Sequence, residues 1–235
     1  MPARLVALRI DAIDPPRLAA FWGVALGRNV EARAGGVLTL PPSDGNGLAV
    51  VLAPGAAPKP GRNRTHLDLT TESTADQRDT VADLLALGAR HVDVGQGADE
   101  THVVLADPEG NELCVLAPGN RFLAGCGRLG AVNCDGTRAT GTFWSAVLDR
   151  PLVWDQDEET AIRMPGPTGP MITWSGPPLI PRTGRSRLVL TIEPDGDRAT
   201  ELDRLHALGA TSAGAPGGLL LADPDGNEFR VEPAG

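Results

Sequence analysis

The 235-residue chain has no tyrosine, only 3% aromatic residues, almost no lysine and just three cysteines. Each shortage excludes something. Without Tyr there is no phenol to act as a general acid. Cys114, Cys126 and Cys134 form neither an even framework nor a Cys-x-x-Cys pair, and they read as free, buried thiols in a reducing compartment. Lys and Arg number 21 against 30 Asp and Glu, a net charge of −9. A nucleic-acid groove needs clustered cations, so the balance speaks against one, although a local basic pocket stays open. No stretch approaches the roughly 18 apolar residues of a membrane span, and no basic-then-apolar leader opens the chain. The expectation is a soluble, cytoplasmic protein with neither nucleic acid nor membrane as a partner. Gly-x-Gly-x-x-Gly, P-loop, nucleophile-elbow and His-Glu-x-x-His patterns are also missing.

What is present is a repeat. Leu105-Ala106-Asp107-Pro108-Glu109-Gly110-Asn111-Glu112-Leu113-Cys114-Val115 returns as Leu221-Ala222-Asp223-Pro224-Asp225-Gly226-Asn227-Glu228-Phe229-Arg230-Val231. Phe21-Trp22 returns as Phe143-Trp144. A repeat sets the architecture ahead of any local assignment. Two halves of about 115 residues each suit the common domain size.

Within each half the pattern repeats again. Residues 5–11 alternate as a half-buried strand, with Val6, Leu8 and Ile10 on one face and Ala7, Arg9 and Asp11 on the other. Asp14-Pro15-Pro16 reads as a helix start and Gly27 as its end. Three short strands follow at 29–34, 37–40 and 48–52, with turns at Gly35-Gly36 and at Asp44-Gly45-Asn46-Gly47. After a Pro/Gly-rich connection the order restarts, with a strand at 65–71, a helix at 74–87 and strands near 91–94, 102–106 and 112–116. The second half predicts strands at 129–133, 152–155, 161–164, 171–174, 187–192, 215–221 and 227–231, and helices at 139–148 and 197–208. Gly217-Gly218 reads as a hairpin turn. The fold class is α+β, with four βαβββ modules in two tandem domains at 1–118 (modules 1–55 and 62–118) and 127–235, joined by a linker at 119–126.

Paired βαβββ modules, Phe-Trp on the first helix, His66-Leu67-Asp68-Leu69 opening the second module and Asp107 to Glu112 before its last strand resemble the vicinal oxygen chelate superfamily, the glyoxalase, bleomycin-resistance and dioxygenase group. The likeness covers nearly the whole chain. It implies that two modules close a cupped sheet around a cavity and that helices cover the convex face. It also implies that a divalent metal such as Zn, Fe, Mn or Ni, where one is bound, is held by the first and last strands of each module. On side-chain parity, His66 and Glu112 match two such positions. In the first module Leu5 and Leu48 stand there and cannot ligate. In the second half the counterparts are Gly127, about Ile172, Val189 and Glu228, with Arg230 placed to neutralise the Glu.

His66 and Glu112 are therefore the candidate catalytic and metal-ligating pair. They could serve as ligands, as an acid/base pair, or as a hydrogen-bonded pair inside a cavity. Asp68 shares the face of His66 and would have to reach sideways to act as a third ligand. Arg9, on the inward face, either pairs with Asp11 or Glu112 or reads an anionic group on a ligand. Trp154 and Trp174 either line a cavity or fill a core, and Glu228 completes the candidate ligand-contacting set. Asp107, Asn111, Asp223 and Asn227 read as turn builders, Phe21-Trp22 and Phe143-Trp144 as helix anchors, and His91, His102 and His206 as surface residues. The run from Lys59 to Arg64 reads as a solvated basic loop.

Two functions follow from the resemblance: a lyase, isomerase or dioxygenase acting on a small metabolite in an apolar cavity of the first domain, or a small-molecule binding protein of the resistance kind without turnover. Either works with a divalent metal or with none. The chain is expected to form an intramolecular pseudo-dimer, with further homo-oligomerisation open.

Overall fold

The computed structural model describes residues 2–43, 47–56, 59, 61–97, 100–214 and 220–232. The turns read at Asp44 to Asn46 and at Gly217-Gly218, and the start of the strand read at 215–221, lie outside the described residues. Module one comprises β1 (Arg4–Ala12), α1 (Pro15–Leu26), β2 (Glu31–Ala32), β3 (Leu38–Leu40) and β4 (Ala49–Pro54). Module two comprises β5 (Thr65–Leu69), α2 (Thr74–Ala86), β6 (Arg90–His91), β7 (Val103–Ala106) and β8 (Glu112–Val115). Module three comprises β9 (Leu129–Cys134), α3 (Arg138–Leu148), β10 (Leu152–Gln156), β11 (Glu159–Arg163) and β12 (Met171–Trp174). Module four comprises β13 (Leu188–Glu193), α4 (Arg198–Leu208), β14 (Thr211–Ser212), β15 (Leu220–Ala222) and β16 (Glu228–Val231). The two-residue β14 was not legible beforehand, because two residues show no alternation.

The helices begin where short polar side chains meet free N–H groups. Asp14 accepts from the Arg17 amide, Ser73 from the Asp76 amide and Asp197 from the Thr200 amide. Thr137, before α3, makes no such bond with its own side chain; Asp225 accepts from its amide at 2.6 Å instead. A tertiary partner thus replaces the local cap. Gly27 ends α1 at φ 62°, where a side chain would cost conformational energy.

The strands form two eight-stranded sheets, and each draws one module from either half of the chain. The first runs β14-β15-β16-β13-β1-β4-β3-β2 and joins modules four and one. The second runs β10-β11-β12-β9-β5-β8-β7-β6 and joins modules three and two. The seams are antiparallel pairs of first strands, β1 with β13 and β5 with β9. The cavity expected inside the first half alone is therefore corrected: modules one and two lie in different sheets.

Apolar residues of one strand parity, such as Leu8, Ile10, Leu67, Leu69, Val132 and Ile172, pack under the helices in one continuous core. Phe21, Trp22, Phe143 and Trp144 anchor α1 and α3 in it. The repeated turn holds the layers together. Asp107 accepts from the Glu109 and Asn111 amides, from Asn111 Nδ2 and from Trp22 Nε1 at 3.1 Å. Asp223 repeats this with the Asp225 and Asn227 amides, Asn227 Nδ2 and Trp144 Nε1 at 3.2 Å. Each bond ties a helix of one sheet to a hairpin of the other.

The residue two after the Asp extends the tie. Glu109 accepts from the amides of Ile13 and Asp14 and pairs with the buried Arg187, while Asp225 accepts from Thr137 and Thr140. Arg64 donates to the Asp225 carbonyl and to Asp135, as Arg187 donates to the Glu109 carbonyl and to that of Asp11. Gly61-Arg62-Asn63-Arg64 and Gly184-Arg185-Ser186-Arg187 are thus a third internal repeat. The basic loop is in part a buried seam and not only a solvated run.

Asp107→Ala leaves an indole N–H and two turn amides without their acceptor inside the core. We expect it to lower stability by about 2–4 kcal/mol, and Trp22→Phe by about 1–2 kcal/mol, since a buried unsatisfied group costs about 1–3 kcal/mol. Urea unfolding checks both. A loss under about 0.5 kcal/mol for Asp107→Ala would contradict the role assigned to the turn.

Candidate functional site

The strand face turned away from the helices carries the polar side chains. In the second sheet, cross-strand pairing aligns Trp154, Ala161, Thr173, Asn133 and His66 in one row. The next row holds Met171, Ala131, Asp68, Cys114 and Val104. Period-two alternation puts both rows on the same face.

His66 Nε2 lies 3.3 Å from Asp68 Oδ1. One donor atom each from His66, Asp68 and Cys114 falls within 4.8 Å of the others. Asp68 is buried, and His66 and Cys114 are half-buried. Burial opposes the imidazolium, but the Asp68 charge and hydrogen bonds to Asp68 and Cys114 outweigh it and push His66 up to about 10. Burial pushes the Cys114 thiol up, and its hydrogen bond with His66 only partly offsets this. Near neutral pH the ring is therefore favoured as an imidazolium and Cys114 as a thiol.

A hollow of about 230 Å³ opens beside this cluster, bounded by Asp68, Asn133, Thr173, Phe122, Trp154 and Glu159 among others. The Trp154 ring, 37% exposed, meets Phe122 edge to face at 5.6 Å. Thr173 is buried and its hydroxyl has no partner. Such a group costs free energy unless something else bonds it.

The structure brings His66 and Asp68 together, and Glu112 has partners of its own. Lys59 Nζ bonds Glu112 Oε1, and the Asn63 amide bonds Oε2 at 3.2 Å. Glu228 is held likewise, by the Ser186 amide at 2.9 Å and by Arg182 at 3.2 Å. Both glutamates clamp the segment that enters the first strand of the same module. Arg230 pairs with Glu232 at 3.4 Å and not with Glu228, and Arg9 pairs with Asp11 at 2.8 Å.

Trp174 borders the hollow, but its ring belongs to the helix-side core. It is 1% exposed and stacks on Trp144 at 6.4 Å. Ile172 and Leu48 also lie in that core, so Met171, Thr173, Ala49 and Val51 are what β12 and β4 show to the open face. Leu5 is displaced by an irregularity in β1 between Leu5 and Ala7, which breaks simple parity counting. Cys114, Asn133, Thr173 and Phe122 went unselected beforehand. Cys114 was within reach, because it sits two residues beyond Glu112 on one strand. Asn133 and Thr173 depended on knowing which module supplies the other half of the sheet. Of the remaining histidines, His91 is exposed, His102 lies 3.3 Å from Glu100, and His206 Nδ1 meets the Ala210 carbonyl at 2.8 Å at the end of α4.

The metal positions implied by the family pattern are not met as a set. Glu112 is engaged by a lysine and an amide, and β9 and β12 show Ala131, Asn133, Met171 and Thr173, none a strong ligand. The first sheet offers less, with Val189, Thr191 and Arg230 where the second has His66, Asp68 and Cys114.

Two sheets of paired βαβββ modules, each with helices on one face and a polar open face, define a protein of the vicinal oxygen chelate type. The chain belongs to the glyoxalase-like domain family, whose model matches residues 7–116 and again 131–232. No curated protein sequence matches it. Among solved structures it is similar to glyoxalase I from Zea mays, at 13% identity and a TM-score of 0.62 over 97% of this chain and 92% of that one. It is also similar to a putative dioxygenase from Bacillus subtilis, at 12% identity and a TM-score of 0.61 over 99% of this chain and 85% of that one. At such identities the likeness speaks for the fold. Among the described residues, no helix is long and apolar enough to cross a membrane.

Replacing Glu112 by Gln keeps an acceptor for the Asn63 amide but removes the charge paired with Lys59. The expected result is a stability loss of about 1–3 kcal/mol with the His66 ring signals in NMR spectra unmoved. Asp68→Asn should shift those signals strongly. A large His66 shift in Glu112→Gln would show that the two residues do interact.

Proposed function

We propose that the chain works on one small molecule at the open face of the second sheet, and that the first sheet is a scaffold copy without chemistry. The observation that carries this reading is the asymmetry of the two faces. His66, Asp68 and Cys114 gather beside a hollow edged by aromatic rings, while Val189, Thr191 and Arg230 occupy the matching places. The hollow suits a flat, largely apolar metabolite of roughly ten to fifteen non-hydrogen atoms, at the small end of ligand pockets. Its flat part would lie against Trp154 and Phe122, and a carbonyl or carboxylate would face Asn133, Thr173 and His66.

His66, Asp68 and Cys114 supply a nitrogen, a carboxylate and a thiol in reach of one bound atom. Such a set can move a proton beside a carbonyl, as a glyoxalase-like lyase or isomerase would. Binding without turnover is the second reading, favoured by the engagement of Glu112 with Lys59. A single chain completes both sheets, which supports an intramolecular pseudo-dimer as the working unit, with further homo-oligomerisation open; the expected location is the cytoplasm.

Phenylpyruvate, which has a ring, a carbonyl and a carboxylate, is a suitable probe. It should quench tryptophan fluorescence saturably. Trp154→Ala should weaken its binding about tenfold, the scale of one lost aromatic contact. Thr173→Val should weaken it several-fold while leaving the protein as stable or more so, because the hydroxyl is unpaired in the free protein. Arg9→Ala in the first sheet should change nothing. Equal loss in Arg9→Ala and Trp154→Ala would sink the one-site reading. Release of altered probe separates enzyme from binder.

A further inference from the structure

We propose that residues 119–126, which connect modules two and three, form a strap over the open face of the second sheet, and that Phe122 and Leu123 set the size of ligand admitted beneath it. The proposal rests on the reading that this face is the working site, and it adds the residues that decide what fits there.

Topology puts the strap in place. Modules two and three are consecutive in the chain and share a sheet, so their connection leaves β8 and returns to β9 across that same sheet. The first sheet joins modules four and one, which no short connection links. The strap turns its apolar side chains inward. Leu123 is buried against Ala131 and Met171, which stand in the same row as Asp68, and Leu116, Phe122 and Cys126 pack around them. An added Cβ at Gly130 would fall 2.8 Å from Leu123 Cδ1, so β9 lacks a side chain where the strap seats its own. Phe122 meets the Trp154 ring at 5.6 Å.

Two hollows meet at the strap. The hollow of about 230 Å³ beside Asp68 and Trp154 has Leu116, Asn120 and Leu123 in its wall. So does a second hollow of about 700 Å³, which runs on past Thr70, Cys126 and Arg128. The strap is thus the partition between them, with Leu123 as its buried apolar residue. With Leu123 seated, the smaller hollow takes a single ring and a polar head. A longer ligand needs the room on the far side.

The strap closes its turns on itself. The Leu123 amide donates to Asn120 Oδ1 at 3.2 Å, the Ala124 amide to the Arg121 carbonyl at 3.3 Å and the Cys126 amide to the Leu123 carbonyl at 3.0 Å. A segment that satisfies its own polar backbone lifts without stranding those groups. Gly119 and Gly125, at φ 82° and 76°, stand at its two ends, where a hinge absorbs a change in backbone angle. Arg163 on β11 latches it to the sheet, donating to the Ala124 and Gly125 carbonyls at 3.1 and 2.7 Å.

Hydrogen exchange and probe size provide the test, on full-length protein, with circular dichroism confirming that each variant is folded. The Ala124 and Cys126 amides should exchange faster than those of β9, and Arg163→Ala should speed them about tenfold or more with β9 unchanged. Phenylpyruvate should bind the unaltered protein about tenfold or more tighter than its biphenyl analogue, which is longer by one ring. Leu123→Ala removes carbons from the wall shared by the two hollows. It should close that gap about tenfold by strengthening the longer probe, while the shorter changes less than about threefold. Phe122→Ala should shift the preference the same way. Strap amides that exchange no faster than β9, in the parent and in Arg163→Ala, overturn the proposal whether or not a probe binds. So does a size preference that neither Leu123→Ala nor Phe122→Ala moves. If phenylpyruvate binds with that preference unmoved, the strap inference alone fails. If neither probe binds parent or variants, the open-face reading fails and takes the size role with it.

Discussion

The fold turns on a buried carboxylate that accepts an indole N–H across two layers. Asp107 holds Trp22 and Asp223 holds Trp144, and each aspartate also organises the amides of its own tight turn. Burial pushes both carboxyls up from their usual range, and the bonds from the turn and the Trp counter that penalty. The donor sits on a helix that covers one sheet, while the acceptor sits on a hairpin of the other. Removing either partner therefore affects the relation between sheets as well as a local turn. Glu109 with Arg187, and Asp225 with Arg64, extend the same seam, so several of the buried charges serve to hold modules together.

This division of labour frees one open face for other work. Both glutamates of the repeated turn are engaged in clamping the entry to a first strand, and the duplication keeps them because the clamp is structural. What the duplication does not keep is His66, Asp68 and Cys114. The matching places in the first sheet hold Val189, Thr191 and Arg230, the first two of them buried. Loss of symmetry on that face, with symmetry preserved at the seams, is what a duplicated scaffold with one working site should show. The unpartnered Thr173 hydroxyl and the half-exposed Trp154 lie on the same face as the cluster, whereas Trp174, of the opposite parity, was absorbed by the core.

Much of the architecture could be read from residues alone. Alternation, helix caps and a twice-repeated pattern are local properties with fixed periods, and they mark four βαβββ modules, although β14 was missed and β6 ends three residues short of the strand read at 91–94. The anchoring role of Phe21-Trp22 and the turn-building role of Asp107 and Asn111 were equally legible, because they depend on composition and spacing within one module. The pairing of modules was not legible. Edge-strand hydrogen bonds are made by backbone groups that every residue carries, so nothing in β1 names β13 as its neighbour and nothing in β5 names β9.

The candidate site divides along the same line. The sequence by itself determined that His66 and Asp68 share a face, since residues two apart on a strand must do so, and that the second half lacks their like. Only the tertiary structure decided that Lys59 and the Asn63 amide engage Glu112, that Cys114 stands opposite Asp68, and that Asn133, Thr173 and Trp154 come from the other half to edge the hollow. Side-chain direction follows from a two-residue period, but partnership depends on which strands lie side by side and on what loops fold over them. Those are long-range choices, settled by the packing of the whole chain.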